Sequence, residues 1–180
     1  MKVIKKSIEK RYLAEFVYGA TDGTVTTFAI VAGSIGAALT PYVILILGFA
    51  NLFADGFSMA VSNYLSTISE KEILSQHKHS HREIKNPKKT ALVTFISFII
   101  IGFIPLLSFV IAPLSQFLNI YKFLISILLT AAAFLLIGAL KGQIVNKHPA
   151  KSSIETFLIG TIAALIAFIV GYSLRMMLVS

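Results

Sequence analysis

Cysteine is absent from the 180 residues, so neither a disulfide framework nor a thiolate metal site is available, and redox compartment cannot be inferred. Charge is scarce as well: 13% of residues are Asp, Glu, Lys or Arg, where a soluble domain carries about a quarter. The acids are rarer still, 8 against 16 basic residues. No internal repeat is visible, and an odd number of apolar runs argues against a two-fold duplication. The opening "MKVIKKSIEKRYLAEF" has no uninterrupted apolar core and no cleavage site, which argues against a secretory signal.

What is present is apolar. Hydrophobic residues make up 56% of the chain and gather in runs of about 20, each long enough to cross a bilayer core of roughly 30 Å. Five spans are expected, over residues 16–39, 42–68, 90–112, 123–140 and 154–174, giving an all-α polytopic membrane protein. The first two are separated only by residues around Thr40 and Pro41, so they must form an antiparallel hairpin. Residues 1–180 make one transmembrane unit, because the polar remainder is too small for a core of its own. Residues 1–15, with Ile4, Ile8 and Tyr12 every four positions among lysines, read as a helix lying on the membrane surface. Residues 69–89 are a short basic connection. In the third span Pro105 is expected to bend the helix.

A net charge of +8 raises the question of nucleic acid, but the position of the charges answers it. Of the 16 basic residues, 14 lie before span one, between spans two and three, or between four and five; only Lys122 and Arg175 fall on the other side. That bias is a topology signal, with the N-terminus cytoplasmic and the C-terminus outside. No nucleic-acid partner is expected.

Two acids sit deep inside the apolar runs: Asp22 in "YGATDGTVTTFAIVAGSIGA" and Asp55 in "NLFADGFSMAVSNYLS". A charged aspartate at the bilayer centre costs about 2.5–3.5 kcal/mol on insertion scales, so such a residue is a functional candidate by default. No lysine or arginine lies within the spans to neutralise either one. Counted from the span ends, Asp22 lies about 9 Å deep, level with a turn from Met59 to Asn63 at about 13 and 8 Å. Asp55, Met59 and Asn63 recur every four residues and share one helical face, with Glu70 close to its continuation. Oxygen ligands alone suit Mg²⁺ or Ca²⁺; an added thioether leans toward transition metals. A carboxylate that binds either a proton or a metal ion supports exchange of one for the other.

Further candidates lie nearby. Glu70 and Glu72 are placed to capture cations at an entrance. His77, His79, His81 and Glu83 form an auxiliary metal candidate, against which stands a simple basic, solvated loop. Gly19 and Gly23, followed by Ala29, Gly33 and Gly36, form a small-residue face for close helix contact, within the chain or with a second copy.

The strings "DGTVTTFAIVAG", "ANLFADGFSMAVSNYLSTISEKE", "IPLL" and "SIETFLIGTIAALIAFIVGYSL" resemble the vacuolar iron transporter family, which includes yeast calcium-cross-complementer-type and nodulin-like members. The resemblance covers nearly the whole chain. It implies a homodimer in the lipid bilayer with a pathway between the first two helices of each subunit. It also implies transport of Fe²⁺ or Mn²⁺ out of the cytosol against protons, with no cofactor and no enzymatic reaction. The family's intramembrane aspartate matches Asp22 and its pathway methionine matches Met59. The best-studied members insert a glutamate-rich metal-binding domain between spans two and three, so this chain resembles a short form lacking it, with Glu70 and Glu72 matching its beginning. Many relatives carry glutamate where this chain has Asn63, which leaves Asp55 as a different carboxylate in the track. Two other readings of paired membrane aspartates are an intramembrane aspartyl protease and a non-transporting scaffold. The short connection favours a prokaryotic plasma membrane over a vacuole.

Overall fold

Six helices and one 3₁₀ turn account for nearly all of residues 11–76 and 85–179, which the computed structural model describes. They are α1 (Leu13–Gly36), α2 (Pro41–Gln76), α3 (Pro87–Gly102), α4 (Ile104–Ile111), α5 (Gln116–Ile144) and α6 (Pro149–Val179), with the turn Ala112–Leu114 before α5. There is no strand among the described residues.

The helices α2, α5 and α6 are long and apolar enough to cross a membrane. The pair α3 and α4 makes a fourth if taken together, bent by 43°. At 24 residues α1 is long enough but is not apolar enough to be counted with them. The chain is therefore an all-helical, multi-pass membrane protein. The elements also run further than the sequence periodicity suggests. Residues 13–15, expected at the end of a surface helix, already belong to α1. The helix α2 continues past Ile68 to Gln76.

The break between α3 and α4 has a local cause. Pro105 lacks an N–H and its ring crowds the preceding turn, so the ladder cannot run through it. Leu106 N–H instead bonds the Phe103 carbonyl at 3.0 Å in a tighter turn. The buried Ser126 hydroxyl on α5 donates to the Pro105 carbonyl at 2.7 Å, tying the bend to its neighbour.

The first helix is the centre of the bundle. It packs most extensively on α3 and α6, and less on α2, which leans on α3. A Cβ at Gly19 would collide with Ser97 and the Thr94 carbonyl of α3, and one at Gly36 with the Phe168 carbonyl of α6. The small-residue run is thus divided between two neighbours within the chain, with Gly19 and Gly23 against α3 and Gly33 and Gly36 against α6. Ala29 is half-buried. Val31, Ile44, Leu52, Phe98, Leu106 and Phe109 form the apolar core beside them.

A tight turn joins α1 to α2. Leu39 N–H bonds the Ser34 carbonyl at 2.9 Å, and Ala38 takes a left-handed φ of 55°. An L-residue held there costs roughly 1–2 kcal/mol. Ala38→Gly is expected to recover about 1 kcal/mol of that, and Ala38→Val to add to it. Thermal unfolding in detergent should rank the three proteins Gly, Ala, Val.

Candidate functional site

Because the hairpin closes near Ala38, residues equally far from that turn sit level on α1 and α2. Thr26 lies opposite Asn51, whose side-chain amide donates to the Thr26 hydroxyl at 3.4 Å. One turn nearer the N-terminus, Asp22 pairs in level with Asp55, and the two carboxyls are close enough to repel one another. Both are half-buried. Two turns further, Glu15 meets Met59 and Asn63, and all three line one cleft of about 420 Å³ with Tyr18, Ser62 and Ser66.

This register differs from the depth estimated from span ends, which set Asp22 beside Met59 and Asn63. The reason is that the two span ends are not level: with the hairpin closing near Ala38, Phe16 lies opposite Val61 and not Ile68, so counting back from Ile68 shifted the α2 residues by about two turns.

Asn63 is held from behind. Its amide donates to the Thr94 hydroxyl of α3 at 2.6 Å, and Thr94 donates in turn to the Thr90 carbonyl at 2.9 Å. Thr67 and Thr90 hydroxyls share a hydrogen bond at 3.1 Å one turn along. With one amide hydrogen committed to α3, the carbonyl oxygen is the atom of Asn63 suited to a cation.

Glu15 is the residue that the sequence reading passed over. It is 8% exposed. Its Oε1 accepts from Lys85 Nζ at 2.7 Å, while Oε2 is buried with no hydrogen-bond partner among the described residues. Buried carboxylate oxygens are nearly always satisfied, so an unmatched one on a residue of the cleft wall is a candidate acceptor for a ligand. A signal was available: Glu15 and Asp22 are seven residues apart, two turns along the same helical face.

The remaining candidates are dispersed. Glu72 is exposed and lines a different cleft, with Lys71 and Lys88. Glu70 is exposed near the end of α2. His77, His79, His81 and Glu83 lie outside the described residues. Among the described residues no three His, Asp or Glu side chains cluster closely enough to hold a metal ion by themselves.

A model of the VIT family matches residues 13–85 and 74–172, most of the chain. The chain belongs to the VIT family. Among similar proteins, a vacuolar iron transporter of Plasmodium falciparum is 25% identical over 230 aligned positions, which take in 94% of this chain and 84% of the relative. Vacuolar iron transporter 1 of Arabidopsis thaliana is 25% identical, with 86% and 82% covered. Vacuolar iron transporter homolog 4 of the same plant is 28% identical over 159 positions, with 83% and 77% covered. The 230-position alignment is longer than the whole of this 180-residue chain, so the Plasmodium protein carries segments that this VIT-family member lacks. The two matched stretches meet in residues 74–85, between α2 and α3, where the short form expected from the sequence would have its deletion. VIT-family relatives are transporters, so the chain stands among transporters and not among enzymes, and the protease alternative gains nothing. These relatives are eukaryotic and are named for the vacuole, so the prokaryotic plasma membrane expected above has no support from them.

Proposed function

We propose that this VIT-family chain exports a divalent transition metal, Fe²⁺ or Mn²⁺, from the cytosol in exchange for protons, as a homodimer of five-span chains with cytoplasmic N-termini. The observation that carries the reading is the ladder between α1 and α2. Glu15 with Met59 and Asn63, then Asp22 with Asp55, then Thr26 with Asn51, offer oxygen and thioether ligands at successive depths. Glu15 and Asn63 form the entrance, with Glu70 and Glu72 on the approach. Met59 gives the soft contact that disfavours Mg²⁺ and Ca²⁺. Asp22 and Asp55 take either a metal ion or protons, since metal binding to a carboxyl displaces its proton.

Supporting the dimer, one chain gathers no complete ligand set among its described residues. Its α2 also turns Phe53 and Phe57, 58% and 66% exposed, away from the bundle beside small residues such as Ala54 and Ser58. A second copy seated there would bring two ladders together. The name iron transporter on the relatives supports the choice of metal, and α1, enclosed by α3 and α6, is the fifth span despite its threonines.

Proteoliposomes with an imposed pH gradient test this directly. Fe²⁺ under anoxia and Mn²⁺ are expected to move with an opposite proton flux, and Mg²⁺ to remain. Silence with Fe²⁺, Mn²⁺ and Zn²⁺ alike would overturn the proposal.

A further inference from the structure

Glu15 stands where two clefts adjoin. It lines the one of about 420 Å³ with Met59 and Asn63, while Lys85 lines a neighbouring one of about 370 Å³ with Tyr12 and Asn86. The Lys85 ammonium donates to Glu15 Oε1 at 2.7 Å, reaching the carboxylate from outside the first cleft. The two partners are unequally enclosed, the glutamate side chain being 10% exposed and the lysine side chain 32%. Glu15 is therefore fixed in the wall, whereas Lys85 has water into which it can withdraw.

The chain beside Lys85 is anchored. Asn86 donates its backbone N–H to the Tyr12 hydroxyl at 3.3 Å. Its side-chain oxygen caps α3, accepting from the Lys88 and Lys89 N–H groups at 3.0 and 3.3 Å. From that fixed point the lysine stem is a flexible four-carbon arm ending in a compact point charge. Such an arm holds its ammonium near one carboxylate at high effective concentration.

A tethered ammonium and a free cation compete on terms set by charge. At equal distance a divalent ion is attracted to the carboxylate twice as strongly as a monovalent one, and repels the ammonium twice as strongly. A monovalent ion only equals the ammonium in charge and lacks its tether. We propose that Lys85 is a built-in competitor for Glu15, which a divalent metal ion displaces and a monovalent ion does not. Lys85 is then a specificity-determining residue at the entrance, and its task differs from that of Met59, which sorts among divalent ions. It also sets the affinity. A metal ion that must displace Lys85 binds more weakly and departs more readily, the ammonium returning as it leaves. This inference rests on the metal pathway proposed above.

Acetylation of amines on the full chain in detergent, read residue by residue by mass spectrometry, tests the displacement with Mn²⁺ as the probe. Lys88 and Lys89, exposed in the first turn of α3, serve as internal references. Lys85 is expected to react more slowly than either, and Mn²⁺ to raise its rate saturably by about fivefold or more. K⁺ at the same ionic strength should leave it unchanged. Glu15→Gln should bring Lys85 to the reference rate and remove the response to Mn²⁺. In proteoliposomes, Lys85→Gln should lower the KM for Mn²⁺ by about fivefold or more and make uptake sensitive to K⁺. Lys85→Arg, whose forked guanidinium can grip a carboxylate through two hydrogen bonds, should raise that KM. An acid left alone in an enclosed place is destabilising, so the acetylation of the parent decides the matter if Lys85→Gln does not fold. A KM that rises in Lys85→Gln would make the lysine a support for Glu15 and overturn the competition, as would acetylation of Lys85 indifferent to Mn²⁺. A protein that transports Mn²⁺ without the response at Lys85 refutes the competitor alone. One that shows the response without transport keeps the competitor and refutes the transport.

Discussion

Asp22→Asn is expected to lower metal uptake by at least about 10–100-fold while the protein still folds and assembles. Losing even an outer partner of a metal site costs a factor of that size, and this change removes a charged oxygen from the middle of the ladder. The substitution is nearly isosteric, so the backbone hydrogen bond from the Thr26 hydroxyl to the Asp22 carbonyl, 2.8 Å, is untouched. The neighbour matters too. With position 22 neutral, Asp55 loses a repulsive partner and remains the one carboxylate at that level. Uptake of Mn²⁺ by proteoliposomes, read beside the elution volume of the purified protein, separates the two effects. Wild-type uptake by the mutant would remove Asp22 from the pathway.

Gly23→Leu is expected to have the largest effect on stability. A Cβ at position 23 would lie 2.6 Å from the Phe98 carbonyl oxygen, and Gly102 of α3 approaches the same point from its own side. Both contacts are with backbone, which cannot turn aside as a side chain can. Overpacking usually costs about 1–3 kcal/mol, and here the upper end or beyond is expected, because α1 must separate from α3 along its length. Gly23→Ala should be milder but clearly destabilising. Unfolding in mixed detergent, followed by circular dichroism, orders the three. A leucine variant as stable as the parent would mean that α1 and α3 do not meet this closely.

The hairpin, the bend at Pro105 and the helical class were legible in the sequence because each follows from local chemistry: a run of apolar residues, a missing N–H, a connection too short for anything else. The boundaries were less legible. Charge suggested that α2 ends near Ile68, yet Glu70, Lys71 and Glu72 continue the helix, since a helix leaving the apolar layer has no reason to stop there. The site's register was hidden for a related reason: the inner ends of the first two helices are not level, Phe16 lying opposite Val61. Glu15 was assigned to the surface because lysines and arginine precede it, and Lys85, seventy positions away, draws it into a part-buried ion pair. The threonines of α1 lower its hydropathy below that of the other long helices. Thr24 donates to the Ala20 carbonyl at 2.7 Å and Thr26 to that of Asp22, so these hydroxyls are satisfied inside their own helix. Composition counts them as polar, whereas an enclosing bundle does not meet them so.

The central place of α1 also bears on how the protein is made. Of the six described helices α1 is made before the others, but the surfaces that close around Gly33 and Gly36 belong to α6, near Phe168 and Gly171, and α6 is made after them. At about 5–20 residues per second the interval is roughly 7 to 27 seconds. Through that time an acid-bearing, threonine-rich segment waits with its narrow face uncovered. The helix begun earliest is the one finished latest, so biogenesis, and any chaperone or insertase attending it, must hold the amino-terminal segment until the carboxyl-terminal one arrives.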